Sequence, residues 1–253
     1  MDKIKDMNKP SSFPLIYFQE IDSTNNYLSA LCEEQEVADF TVVLAQFQSD
    51  GRGQRGNAWE SAPQKNLTFS YLLHPDFIDA SHQFLLSEMA SLAVKDTLNL
   101  YTDDITIKWP NDIYWREKKI GGMLIENRLT GMRIDRSIHG IGININQEEF
   151  RSTAPNPVSL KQITGKEYVL MHLLEQFMER LRDSYERLRS GETAPIDRRY
   201  RNSLFRKDGL HAYQDASGIF KARIADVESD GRLVLVDERG SERKYMFKEV
   251  AYR

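Results

Sequence analysis

The chain has 253 residues, 40% hydrophobic and 28% charged, with a formal net charge of −4. This is the composition of a globular protein with one sizeable core and room for a small second domain, and so small a charge gives no overall field for nucleic acid or a membrane surface. The single cysteine, Cys32, excludes an intramolecular disulfide, and no Cys/His cluster has zinc-site spacing.

The N-terminal residues lack an apolar run of signal-peptide length, and no later segment has the length and apolarity of a bilayer span. A cytoplasmic protein is the expectation. Residues 1–14 read as a polar leader, and "FPLIYFQEI" as a short strand. Asp22, Ser23 and Thr24 then offer caps ahead of Tyr27, Leu28 and Leu31, an apolar stripe at helical spacing. Cys32 falls in this helix and reads as inert packing. "DFTVVLAQF" and "NLTFSYLL" are strand-like, and "HQFLLSEMASLAVKDTLNL" is an amphipathic helix. "DITIKWPND", "KIGGMLIENRL" and "RIDRSIHGIGININ" follow as strands. A long helix is predicted over "KEYVLMHLLEQFMERLRDSYERLRSGE", with apolar residues at 170, 173, 174, 177, 181, 185 and 188 and a solvated basic face. From about 205, short alternating strands separated by Ala-Ser-Gly, Asp-Gly and Arg-Gly predict a small antiparallel barrel of about five strands. The chain thus reads as α+β: a mixed-sheet domain over 15–204, followed by a β-module over 205–253.

The segment "QSDGRGQRGNAW", residues 48–59, spells G-x-G-x-x-G through Gly51, Gly53 and Gly56. A dinucleotide fingerprint must open a helix, whereas Asn57 to Pro63 has no apolar period and ends in proline. Protein-kinase companions are also missing. What is left is a glycine-rich turn presenting Arg52 and Arg55, whose planar guanidinium groups match carboxylate and phosphate oxygens; a solvated surface loop is the plain alternative.

Further along, "KWPND" (108–112) brings Lys108, Asn111 and Asp112 to a strand end, where Asp112 could hold magnesium and Lys108 could offset phosphate charge. "KKIGGMLIE" (118–126) sets Lys119 before Gly121 and Gly122, and "GIGININ" (140–146) ends a strand with glycines and Asn144. Taken alone, the first two have plainer readings, a Pro-Asn-Asp turn with Trp109 in the core and an exposed turn lysine, and Ser23-Thr24-Asn25 reads alone as a helix cap.

Taken in series, these motifs resemble the biotin–protein ligases. Ser23-Thr24-Asn25, Gln48, Gly51 through Gly56, Trp59, Lys108 through Asp112, Lys119 through Glu126 and Gly140 through Asn144 match the family pattern in order, and the likeness spans roughly residues 15–250. It implies a catalytic domain of the biotin/lipoyl ligase type followed by a small β-barrel. It also implies an activity: ATP-dependent formation of biotinyl-5′-AMP, then transfer of biotin to a lysine of a biotin carboxyl carrier protein, with Mg2+ as cofactor. By the same likeness Lys119 and Arg52 are catalytic. Ser23, Thr24, Asn25, Gln48, Arg52, Gly53, Gln54, Lys119 and Gly122 surround biotin. Arg52, Arg55, Trp59, Lys108, Asn111, Asp112 and Asn144 surround ATP, with Asp112 toward the metal, and the Gly-Arg loop closes as a lid.

The chain departs from the pattern at Gln54, where many relatives carry a third Arg, at Asn57, where they carry a basic residue, and at Gly121. Weaker retention of the adenylate is the expected result of the first two. Only 22 residues precede Ser23, too few for the helix-turn-helix found in relatives that double as repressors, so no DNA binding is expected. Lipoyl ligases are the nearest enzymatic alternative, although their Arg-Arg and Ser-Gly-Gly-Gly run is missing. Monomer and homodimer are both open.

Overall fold

A computed structural model describes residues 12–54, 58–151 and 156–253. The first expected strand forms β1 (Leu15–Ile21), and Ser23 caps α1 (Thr24–Glu34) by accepting from the Asn26 amide, which satisfies a donor that the helix start would leave unpaired. This helix carries the chain to β2 (Val42–Gln48), parallel to β1. All later pairings are antiparallel. They involve β3 (Leu67–Leu73), β4 (Ile105–Lys108), β5 (Asp112–Trp115), β6 (Lys118–Thr130) and β7 (Arg133–Ile143), and give a seven-stranded mixed sheet ordered β1-β2-β3-β7-β6-β5-β4.

Helices cover both faces, so all seven residues of β3 are buried. Strand alternation sorts them. Leu67, Phe69, Tyr71 and Leu73 join the main core with α2 (Phe84–Leu98) and α4 (Leu170–Arg189), while Leu72 joins Leu28 of α1, Val43 and Ile138 on the opposite face. In α4 the buried positions Leu173, Leu174, Phe177, Leu181, Tyr185 and Leu188 are those of the predicted stripe, and Arg182, Arg187 and Arg189 are exposed on the other side. Cys32 is half-buried against the Leu28 cluster, and burial pushes its thiol pKa up.

Two helices escape the sequence reading. A short helix, α3 (Leu160–Thr164), carries a capping box from Ser159 and Gln162. Next, α5 (Thr193–Asn202) buries only Ile196 and Tyr200. The continuous strand expected over 104–112 is instead two: β4 ends at Lys108, the Trp109–Pro110 peptide is cis, and β5 starts at Asp112.

After α5 the chain forms β8 (His211–Asp215), β9 (Gly218–Val227), β10 (Leu233–Asp237), β11 (Glu242–Tyr245) and β12 (Ala251–Tyr252). They make a five-stranded antiparallel sheet ordered β11-β10-β9-β8-β12. The expected strand number and pairing sense are present, and no β11–β12 pairing closes the sheet among the described residues. Each expected turn places its glycine (Gly218, Gly231, Gly240) at positive φ, where other residues are strained. Three contacts seat this sheet on the larger one. The Trp109 indole donates to the Gly231 carbonyl at 2.9 Å, Arg201 of α5 pairs with Asp226, and Phe205 packs between Tyr114 and Tyr252. Among the described residues no helix is long and apolar enough to cross a membrane.

Candidate active site

The antiparallel register decides which side chains face α1 and the loop that follows β2. Gly142 pairs with Gly122, Gly140 with Leu124, and Ile138 with Glu126, so these residues share one face of the sheet. Two glycines there clear the floor. A Cβ on Gly142 would stand 2.2 Å from the Trp59 ring, and one on Gly140 would stand 2.3 Å from Asn25 Oδ1. Trp59 is held by its backbone N–H to the Gly51 carbonyl at 2.7 Å, and its buried indole N–H has no partner among the described residues.

Over this floor lies a cavity of about 540 Å3, within the size range of small-molecule sites. Ser23, Thr24, Asn25, Gln48, Arg52, Gly53, Gln54, Trp59, Lys108, Asn111, Asp112, Lys119 and Gly122 all line it. The two ends of the motif series, more than a hundred residues apart in sequence, therefore meet in one place. Arg55 lies outside the described residues. Asn144 is buried but does not line the cavity: its amide donates to the Val158 carbonyl at 3.2 Å, and Val158 in turn donates its backbone N–H to the Lys119 carbonyl at 2.9 Å. The structure thus places Asn144 behind the Lys119 strand.

Polar side chains at one end of the cavity form a chain. Gln48 Oε1 faces both the Thr24 backbone N–H, at 2.8 Å, and the Thr24 hydroxyl, at 3.1 Å. That hydroxyl is 2.7 Å from Ser70 Oγ, and Ser70 donates to Asn25 Oδ1 at 2.5 Å. The Thr24 and Ser70 hydroxyls thus share two protons among three contacts, to Gln48, to Asn25 and to each other. Asn25 Nδ2 donates to Glu126 Oε2 at 2.8 Å, and Arg52 donates to Glu126 Oε1 at 2.8 Å and to Asn26 Oδ1 at 2.6 Å. Ser70 was missed, and Glu126 entered only as the end of the 119–126 motif, with no role assigned; both are polar residues inside strands, where a solvated face is the ordinary reading.

The other end is cationic. Lys119 Nζ lies 2.6 Å from Asp112 Oδ1 and 6.0 Å from the Trp59 ring centre. Lys108 donates to the Tyr114 hydroxyl at 3.0 Å and sits 5.0 Å from the Tyr252 ring centre. Burial lowers its pKa, Asp112 opposes that shift, and Lys119 and Arg206 reinforce it. Asn111 donates its side-chain amide to the Met123 carbonyl, which fixes the turn between β4 and β5. The smaller sheet adds a wall the sequence did not reveal, with Phe247, Lys248, Val250, Ala251 and Tyr252. Asp112 is the only carboxylate lining the cavity among the described residues, against Arg52, Lys108, Lys119 and Lys248. A site of this charge draws anions and holds them by charge-assisted hydrogen bonds of roughly 1.5–3 kcal/mol each.

Comparison with known proteins agrees with this geometry. Residues 16–144 match the biotin/lipoate A/B protein ligase family. The bifunctional ligase/repressor BirA of Bacillus subtilis is 29% identical over 245 residues, covering 91% of this chain and 72% of that protein. The biotin–[acetyl-CoA-carboxylase] ligase of Paracoccus denitrificans is 33% identical over 151 residues, 57% of this chain and 61% of that protein. The Aquifex aeolicus biotin protein ligase, solved in complex with biotin and ATP, superposes with a TM-score of 0.78 at 26% identity, covering 95% of this chain and 98% of that one. With half its length matched to the family and its motif residues gathered in one cationic cavity, the chain belongs to the biotin/lipoate A/B protein ligases and is a ligase.

Proposed function

We propose that this enzyme activates biotin with ATP and transfers it to a lysine of a biotin carboxyl carrier domain. The observation that carries the reading is the convergence of Arg52, Lys108 and Lys119 on one cavity. A carboxylate and a triphosphate repel one another, so bringing them together needs fixed positive charge. In the first step a biotin carboxylate oxygen attacks the α-phosphorus, the bond to the β-phosphate oxygen breaks, and pyrophosphate leaves. In the second, the carrier lysine amine attacks the acyl carbon, the bond to the AMP oxygen breaks, and AMP leaves as the amide forms and the amine proton is lost to water.

In this reading Lys119 is a fixed cation at the carboxyl and α-phosphate oxygens, and Lys108 stands toward the phosphates. Thr24 and Gln48, with Ser23 beside them, offer the paired donors and acceptors that a ureido ring requires. The unpartnered indole N–H of Trp59 supports a ligand packed there. A lone carboxylate such as Asp112 suits Mg2+, which binds through one or two carboxylates together with substrate phosphates; there it would supply additional charge to the phosphate oxygens. Gly53 and Gln54 line the cavity, which supports a Gly-Arg loop that would shield a hydrolysable anhydride from water.

The test is incubation of the full chain with ATP, Mg2+, a carrier domain and either labelled biotin or labelled lipoate. Transfer of biotin supports the proposal; transfer of lipoate alone, or of neither, overturns it. Repressor activity, part of the name of the Bacillus relative, is no part of this reading, and an operator gel shift with biotin and ATP tests for it.

A further inference from the structure

Arg52 lines the cavity, whereas the carboxylate that holds it, Glu126, does not. Glu126 shares a sheet face with Gly122 and Leu124 and is gripped from both sides: one oxygen takes the Arg52 guanidinium, the other takes the amide of Asn25. An isolated ion pair whose partners are 41% and 39% exposed would contribute little. Here, however, Asn25 is only 4% exposed and is itself fixed by Ser70, so the ordering of the Glu126 side chain is already achieved before Arg52 docks on it. Asn26, from the same helix turn, takes the second arm of the guanidinium at 2.6 Å.

From this geometry we infer that Glu126 is a positioning residue: it anchors Arg52 of the glycine-rich loop to the buried Thr24–Ser70–Asn25 chain and thereby sets how long the acyl-adenylate stays bound. The inference rests on the ligase reading above. It assigns Glu126 no contact with substrate; its effect passes through Arg52.

The experiment is stopped-flow release of biotinyl-5′-AMP from the full-length protein, comparing wild type, Glu126→Gln, Arg52→Ala and the double variant. Gln still accepts from Asn25 but loses the charge toward Arg52. Glu126→Gln is expected to release the adenylate about 10-fold faster, the size of one weakened charge-assisted hydrogen bond. The double variant is expected to be no faster than Arg52→Ala alone, because both act through one guanidinium. A purely structural role would give additive effects. Unchanged or slower release in Glu126→Gln, or additivity in the double variant, overturns the inference. If Glu126→Gln does not fold, Glu126→Asp, which keeps the charge but shortens the reach, takes its place with the same expectations. A wild type that forms no adenylate sinks the ligase reading and this inference together; a competent wild type with an unmoved Glu126→Gln sinks the inference alone.

Discussion

Lys119 Nζ stands 2.6 Å from Asp112 Oδ1 across the mouth of the β5–β6 hairpin, with both side chains about three-quarters buried. The pair aims the ammonium into the cavity and balances it until an anion arrives. Lys119→Ala removes the cation and leaves Asp112 facing the incoming phosphates. We expect adenylate formation, followed as pyrophosphate release, to fall by about 10^2 to 10^3, the usual cost of one transition-state donor, while the unfolding temperature changes little. A tenfold or smaller loss would remove Lys119 from the chemistry.

Gly142 leaves room for the Trp59 ring, which a Cβ would meet at 2.2 Å. Gly142→Ala therefore has to displace the indole. KM for ATP is expected to rise by about 10-fold or more, with KM for biotin nearly unchanged and a shift in tryptophan fluorescence. An unchanged KM for ATP would detach Trp59 from the nucleotide.

Gln54 lines the cavity beside Arg52. Gln54→Arg adds a planar cation near the bound anhydride, and slower adenylate release, by about 10-fold, is expected from one more charge-assisted contact. Stopped-flow measurement decides it, and equal or faster release from the variant refutes it.

Two buried groups make opposing contributions to the pH dependence of stability. Burial, together with Asp197 and Asp226 and against Arg201, pushes Glu88 up from 4.5 to about 8. The folded protein thus keeps a proton that the unfolded chain loses above 4.5, and stability falls as pH rises from there to about 8. Burial pushes His139 down from 6.5 to about 3, between the hydroxyls of Tyr71 and Ser137. In this case the unfolded chain takes up the proton first, and stability falls as pH drops from 6.5 toward 3. Between 4.5 and 6.5 the two slopes oppose, so the unfolding temperature should be highest there. Glu88→Gln should flatten the alkaline fall in a thermal scan from pH 6 to 8; an unchanged slope would deny Glu88 its part.

The sequence made the cavity legible because its chemistry is carried by residues at strand ends and glycine turns, where a charged or amide side chain has no ordinary packing role. Within strands that signal fails: Ser70 and Glu126 look like any alternating polar position, although one is fully buried and the other faces Arg52. Asn144 shows the converse, because a strand-end asparagine can turn inward to bind a neighbouring backbone, here the Val158 carbonyl, as readily as it faces a cavity. In the fold, α5 was invisible because its two large apolar residues, Ile196 and Tyr200, make too thin a stripe. β5 was invisible because four residues after a proline turn are too few to show a period. The wall from Phe247 to Tyr252 depends on how two sheets pack, which no local pattern encodes.

That wall makes the two sheets thermodynamic partners. A molecule seated between Ser23 and Tyr252 touches both, so by mass action its binding free energy resists the melting of either one. At a hundred times its Kd this amounts to about 2.7 kcal/mol, shared by segments that are remote from each other along the backbone. Occupancy would turn two adjoining layers into a single cooperative unit.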